Sequence, residues 1–377
     1  LKKINIVLLI ILLIPLLTGC WDRLPLKNLK LMDVVGFDLN QKDEIDIHLI
    51  ETKLKSVGQG NGVSKSEVTV LNGPSLLKAT GNGSYSNRVF YGPSIRVYLL
   101  SENFALKYPI SELSFMLNAP YASINTPVII FEGNLAKFFK DESNNDNFTK
   151  ELSDYIFTSE KRRIIPNVSI MNLILAQGDM LEYLAIPIIK KSDNAIEISG
   201  AFLYKQGVNS GVKLSKDQLT MMMLLLGKRF VRLNLTGDLL ENNKEKPSDN
   251  IENKSEYGFS VKEIDSKFII STDSKGLPKA TIKVRLKINA YEIGKLNQFS
   301  KVKVKYINQM EKALSKHFER MSKSTIDSMQ KANCDVIGIG KEIKAYHPNK
   351  WKLLNWRKDY PQVSIQPKYE VQILNDK

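Results

Sequence analysis

The residues of this 377-residue chain that could do nucleophilic, acid–base or metal chemistry are three histidines, two cysteines and 40 carboxylates. Nucleophilic catalysis needs a hydroxyl or thiol with a base in reach. His48, His317 and His347 stand in no Gly-x-Ser-x-Gly, His-Glu-x-x-His or paired-Cys context. His317, between Lys316 and Phe318, reads as a solvated residue on a helix surface. Gly227-Lys228 lacks both the earlier glycine and the following Ser or Thr of a phosphate loop. Gly58, Gly60 and Gly62 sit in a polar stretch with no helix behind them. Glycoside cleavage would need two carboxylates at a set separation, and the sequence singles out no pair. Met221 to Met223 read as core filling, and Cys334, which follows a helical run and precedes Val336-Ile337, as a buried packing residue. The pattern therefore predicts a non-enzyme with no catalytic residue, no metal ligands and no cofactor.

Cys20 is different, because its context implies a specific chemistry. Lys2 and Lys3 begin the chain, Ile4 to Leu17 is apolar apart from Asn5, and Leu17-Thr18-Gly19-Cys20 follows. A charged start, an apolar run and small residues before a cut are the layout of an export signal. The apolar run would cover about 21 Å as a helix, short of a hydrocarbon core of about 30 Å, which predicts a cleaved leader over 1–19. The small-small-Cys ending resembles the lipobox of bacterial lipoproteins, in which the Cys thiol takes a diacylglyceryl group and becomes the new N-terminus. Cys20 is thus the predicted lipidation site, and residues 20–32 the lipidated tether. Acylation of Cys20 would leave Cys334 without an intramolecular disulfide partner. Leu1 reads as a non-AUG start codon, which points to a bacterium.

The elements that must carry this anchor divide into two regions. The first, 33–192, is predicted as an α+β region of one or two subdomains, with strands at Val34–Leu39, Ile45–Leu54, Val68–Leu71, Ile95–Leu100, Pro127–Phe131 and Leu184–Ile189. Helices are expected at Pro74–Thr80, Ser111–Leu117, from Leu135, and within Pro166–Gln177. The polar run Asp141–Asn147 reads as a loop, and the turn cluster Ser192-Asp193-Asn194 as a domain boundary. The second region, 193–377, opens with a hairpin and a helix started by the capping box Ser215-Lys216-Asp217-Gln218 and closed by Gly227. A strand over Arg229–Leu235 and a polar linker, Gly237–Ser255, come next. Ala280 to Ala290 alternates strictly, Ile282, Val284, Leu286 and Ile288 against Lys283, Arg285, Lys287 and Asn289, as a strand with one wet face does. Lys301–Asn333 is a long helix with Val304, Ile307, Leu314, Phe318 and Met321 on one stripe, and Val363–Ile373 a last strand that Pro367 assigns to an edge. The predicted fold class is multi-domain α+β, with mixed or antiparallel sheets flanked by helices and a long helix in the C-terminal domain.

Hydrophobic residues make up 43% and charged residues 25%, ordinary values for a folded protein. Without the leader the net charge falls from +14 to near +12. Thirteen Lys or Arg face four acids between Lys279 and Lys331. A solvated face accounts for such a run, and so does contact with anionic headgroups. For an exported protein nucleic acid is not an expected partner.

Beyond Cys20 the sequence resembles a known family. Leu16-Leu17-Thr18-Gly19-Cys20-Trp21-Asp22-Arg23, and Val35-Gly36-Phe37-Asp38 after it, resemble the start of the Ger(x)C family, the C subunits of bacterial spore nutrient-germinant receptors. So do Ser199-Gly200-Ala201-Phe202, Cys334-Asp335-Val336-Ile337-Gly338-Ile339-Gly340, His347-Pro348-Asn349-Lys350-Trp351 and Asn355-Trp356 before Tyr360-Pro361. The N-terminal half departs at Gly92-Pro93-Ser94 and Asn118-Ala119-Pro120, where relatives have a His-containing strand start and an Arg-Asp-Pro stretch. The resemblance implies a lipid-anchored, non-enzymatic subunit on the outer face of the spore inner membrane, beside integral membrane A and B subunits. The alternative is a solute-binding lipoprotein feeding a transporter. Repeated βα units with parallel strands would favour it, and the alternating strands read here do not.

Overall fold

The computed structural model describes residues 31–54, 64–83, 95–107, 113, 123–143, 145, 147–178, 181–193, 195–227, 233–238, 256–272, 277–293 and 304–374. Cys20, the tether to residue 30, most of the helix expected over 111–117, the strand start 229–232 and the linker 239–255 lie outside them.

Eight strands form the first sheet: β1 (Leu31–Leu39), β2 (Ile45–Leu54), β3 (Ser64–Gly73), β4 (Val97–Ser101), β5 (Val128–Glu132), β6 (Tyr183–Ser192), β7 (Ala195–Lys205) and β8 (Val208–Ser215). Their order is β3-β2-β1-β4-β5-β6-β7-β8. The middle four run parallel, and antiparallel strands flank them on both sides. Alternate residues of one strand point to opposite faces. Val97 and Leu99 thus join one buried cluster while Tyr98 and Leu100 join another, as do Ile129 and Phe131 against Val128 and Ile130. Helices α1 (Leu76–Gly83), α2 (Glu102–Lys107) and α5 (Ile170–Gly178) cover the second cluster's face. Helices α3 (Leu135–Glu142) and α4 (Phe148–Lys161) cover the first. The expectation of half-wet strands is corrected here, because the parallel centre is buried on both faces.

The second sheet is four-stranded, in the order β12-β11-β10-β9, from β9 (Leu233–Asp238), β10 (Glu256–Thr272), β11 (Pro278–Ile293) and β12 (Ser364–Ile373). Ile282, Val284, Leu286 and Ile288 of β11 are fully buried, and Lys283 and Arg285 are exposed, as the alternation predicted. The basic residues of the wet face meet acids on neighbouring strands, Arg285 with Glu370 and Lys287 with Glu263. A solvated, charge-laced face therefore accounts for this part of the basic run.

Between the sheets lies α6 (Lys216–Leu225), buried at Leu219 and at each position from Met221 to Leu225. A helix apolar all round must be enclosed, and this one touches strands of both sheets. Its capping box is complete: Ser215 Oγ accepts from Gln218 N–H at 3.2 Å, and Gln218 Oε1 accepts from Ser215 N–H at 3.1 Å. Gln218 Nε2 also donates to Ser328 Oγ on the long helix α7 (Val304–Lys331), and Ser266 Oγ of β10 donates to Leu225 O at the far end of α6.

Helix α7 packs Leu314, Phe318, Ile326 and Met329 onto the second sheet and also seals its edge. Three outward N–H groups of β12 find side-chain acceptors: Ile373 on Glu311 (2.8 Å), Val371 on Ser315 (3.2 Å) and Tyr369 on Glu319 (3.1 Å). Four helix residues advance about 6.0 Å and two strand residues about 6.6 Å, so the two series stay in step over this length. The next outward position on β12 is Pro367, which has no N–H to satisfy.

Replacing Glu311 or Glu319 by Ala leaves an orphan edge donor and should cost about 1–2 kcal/mol each in urea unfolding. A Glu311→Ala/Ser315→Ala/Glu319→Ala chain should also self-associate in sedimentation velocity, because its strand edge is bare.

Candidate functional site

The residues that carried the family resemblance at the C-terminal end converge in space. Helix α7 ends with Asn333 in the left-handed region, φ 51°, and the chain turns through Cys334 and Asp335 into α8 (Ile339–Tyr346). Asp335 is 2% exposed, and its carboxylate accepts three successive backbone N–H groups: Gly338 (Oδ1, 3.1 Å), Ile339 (Oδ1, 2.9 Å) and Gly340 (Oδ2, 2.6 Å). These are orphan donors at a helix start, so the Asp closes the N-terminus of α8 from inside the loop. Burial pushes the Asp335 carboxyl up to about 7, against the downward pull of those N–H groups. The Trp356 indole faces the same carboxyl without completing a well-aligned hydrogen bond.

Gly340 is required by close approach. A Cβ there would lie 2.5 Å from Trp356 Nε1. Short helices α9 (Pro348–Trp351) and α10 (Trp356–Asp359) carry the two tryptophans, whose rings lie 5.9 Å apart, and Trp356 lies 5.4 Å from Tyr360. Tyr360 OH donates to Cys334 O at 3.3 Å, and Asn333 Nδ2 to Arg357 O at 2.8 Å. Burial pushes the Cys334 thiol up to about 12, which makes it an inert packing residue. Most of the knot's polar contacts are thus made within it. Gly36 in β1 follows the same logic, since a Cβ there would meet the Phe139 ring of α3 at 2.7 Å.

The structure corrects the reading of His317. It is 7% exposed, its Nε2 3.3 Å from Tyr257 OH and its ring edge-on to Tyr257 and Phe318. His48 is also buried, against Phe139, and desolvation lowers its pKa below the ordinary value. His347 sits at the start of α9, far from His48 in the chain and in no common cluster.

One polar group unremarked in the sequence gathers at the C-terminal ends of β4 and β5, where open α/β sheets commonly hold ligands. Ser199 Oγ donates to Glu132 at 2.6 Å, and Lys213 Nζ lies 3.0 Å from Glu132 and 3.5 Å from Glu102. The Ser199 hydrogen bond and the Lys213 charge lower the Glu132 pKa against the effect of burial. Lys213 offsets one of the two carboxylate charges, and the group ties β5, β7 and β8 to the start of α2. A shallow depression of about 520 Å³, lined by Lys205, Gln206, Val208, Asn209, Ser210 and Ala332, lies between the β7–β8 turn and the end of α7. Cys20 lies outside the described residues, so the predicted anchor and the knot are not brought together here. No helix among the described residues is long and apolar enough to cross a membrane.

A carboxylate-closed helix start, a tryptophan pair and an eight-plus-four-stranded α+β body describe a folded scaffold with its polar chemistry turned inward. Comparison with known proteins gives that scaffold a family. Residues 22–191 match the spore germination protein N-terminal domain, and residues 201–376 match the spore germination B3/GerAC-like C-terminal domain. The chain belongs to the Ger(x)C family of spore germinant-receptor proteins. A solved structure, the crystal structure of the GerBC protein, is similar over 90% of this chain and 97% of that one, at 15% identity and a TM-score of 0.57, a likeness of fold. No curated protein matches the sequence.

Above about pH 7, where the carboxyl is ionised, Asp335→Ala and Asp335→Asn should each cost about 2–4 kcal/mol, the Asn variant because its amide would point a donor at a donor. The folded carboxyl titrates near 7 and the unfolded one near 4. The folded state therefore binds the extra proton between these values, and this group's contribution to stability falls as pH rises from about 4 to about 7. Urea unfolding of the wild-type chain should show that slope, and Asp335→Asn should flatten it.

Proposed function

We propose that this chain is a lipid-anchored, non-enzymatic subunit of a spore nutrient-germinant receptor. Its leader, residues 1–19, is removed, and a diacylglyceryl group on Cys20 holds it to the outer face of the spore inner membrane. Integral membrane A and B subunits stand beside it and supply the spanning segments. The carrying observation is the match of two family domains to nearly the whole chain, directly behind a lipobox-like Leu-Thr-Gly-Cys. An inward-facing set of polar contacts supports a role in assembly over one in catalysis. The division of the chain near residue 193 belongs to this reading as a division of sequence, 33–192 and 193–377, with β7 and β8 of the second part completing the sheet of the first.

Cys20→Ala tests it. The expected result is release of the chain from the membrane fraction in a high-salt wash and loss of nutrient-triggered germination, with germination by a receptor-independent agent unchanged. Retention with normal germination overturns the proposal. Micromolar binding of a nutrient by the isolated chain, measured by calorimetry, would support the solute-binding alternative.

A further inference from the structure

The strand register shows which end of the body the tether enters. Val34 pairs with Val97, Tyr98 with Val128 and Ile130 with Ile188, all in parallel. Counting along these partners puts Leu31, where the described chain begins, level with Glu182 at the start of β6. The two are three strand spacings apart, about 14 Å. The ten residues 21–30 reach at most about 35 Å when fully extended. A lipid on Cys20 therefore keeps this end of the sheet close to the membrane.

The same end carries the α8–α9 corner. Lys341 of α8 forms an ion pair with Glu182. From 341 to 358 the chain has six Lys or Arg against one acid, Glu342. Lys344 and Lys352 are exposed, and so are two large apolar side chains, Tyr346 (71%) and Leu353 (87%). Tyr183 pairs with Lys205, so the β7–β8 turn and its exposed Val208 (64%) lie at this end too. The knot fixes the corner in place: Asp335 closes α8, and the Trp351–Trp356 pair seats α9 on α10.

We propose that this corner rests on the membrane surface, with Lys344, Lys350 and Lys352 at anionic headgroups and Tyr346 and Leu353 in the interfacial layer. The inference rests on the tether proposed above. Basic side chains are drawn to an anionic leaflet, and tyrosine and leucine partition to the headgroup–acyl boundary. The outer face of the second sheet has basic residues too, but Arg285 and Lys287 there are matched by Glu370 and Glu263, and its exposed large apolar side chain, Ile269 (46%), is less exposed than Tyr346 or Leu353. The corner would set the orientation of the body, which a single flexible tether leaves free.

The test uses residues 21–377, which keep both cores, since these run from Met32 to Ile373, and so fold without the lipid. Vesicle co-sedimentation is measured on phosphatidylglycerol–phosphatidylcholine and on pure phosphatidylcholine. The expected result is binding to the anionic vesicles that is lost on the zwitterionic ones and at about 0.5 M salt. Lys350→Glu/Lys352→Glu should weaken it about tenfold or more, and Leu353→Asp should weaken it at unchanged charge elsewhere, while Lys283→Glu on the sheet face leaves it intact. Lys283, Lys352 and Leu353 are exposed and Lys350 is half-buried, and an unchanged urea midpoint confirms folding. Absence of binding, or equal weakening by Lys283→Glu, overturns the inference. Impaired germination in Lys350→Glu/Lys352→Glu without vesicle binding also overturns it, assigning the corner to a protein partner. The tether reading stands or falls separately, on the high-salt release of full-length Cys20→Ala.

Discussion

The second half of the molecule depends on the commensurability of one helix and one strand edge. Helix α7 can present an acceptor every four residues, and β12 presents an outward donor every two. Glu311, Ser315 and Glu319 therefore do what a neighbouring strand would do, and the series ends where Pro367 removes the donor. Once the edge is closed, α7 is fixed in height and rotation over the sheet. Leu314 and Phe318 then point into it, and the C-terminal end of α7 is placed where Asp335 can close α8. Another side of the same helix takes the Gln218–Ser328 bond from α6, which lies between the two sheets. An isolated four-stranded sheet would expose this edge to aggregation. Here the sequence separates the two functions of the helix, apolar residues for the face and acceptors for the edge.

The conserved-looking signatures that identify such chains are devices of the same sort. Asp335 with Gly338 and Gly340, Trp351 with Trp356, and Gly36 under Phe139 each solve a packing or donor-satisfaction problem. An Asp in this role tolerates little, because three donors at 2.6–3.1 Å leave both oxygens committed. Gly340 tolerates little because an indole occupies the space of its Cβ. The contacts of these motifs are made to one another, so what they define is a local shape.

The legibility of the chain followed solvent. The second sheet has one wet face, so its strands alternated visibly, and the edge position of β12 could be read from Pro367. The capping box was legible because it is local: Ser215 and Gln218 bond across one turn. In the first sheet, β4, β5 and β6 are buried on both faces, which erases alternation and hides the parallel order. Helix α4 was missed because Phe148, Leu152 and Ile156 are diluted by Thr, Ser, Lys and Asp. His317 was misread from its charged neighbour Lys316. Its spacing, three after Leu314 and four before Met321, puts it on the buried stripe, which was the available signal. The Glu132–Ser199–Lys213 group could not be found, because its members are 67 and 14 residues apart and only the sheet order brings them together. Cys20 rests on linear sequence alone, since an export signal owes nothing to the fold, and it lies outside the described residues.

A lipid anchor restricts a protein to a surface and leaves its orientation undetermined. A subunit that has to meet membrane-embedded partners gains most from removing that freedom, since an oriented body presents one face to its neighbours at all times. The parallel centre of the first sheet puts the chain's entry point and the start of β6 at one end, and the Lys341–Glu182 pair brings the C-terminal corner to that same end. The two halves of the chain therefore converge where the tether arrives. On the proposed orientation the opposite end of the sheet, where β4 and β5 finish and Lys213 is held between two carboxylates, would face away from the bilayer. On that orientation the body would have a membrane side and a solvent side, with the Asp335 knot bracing the membrane side.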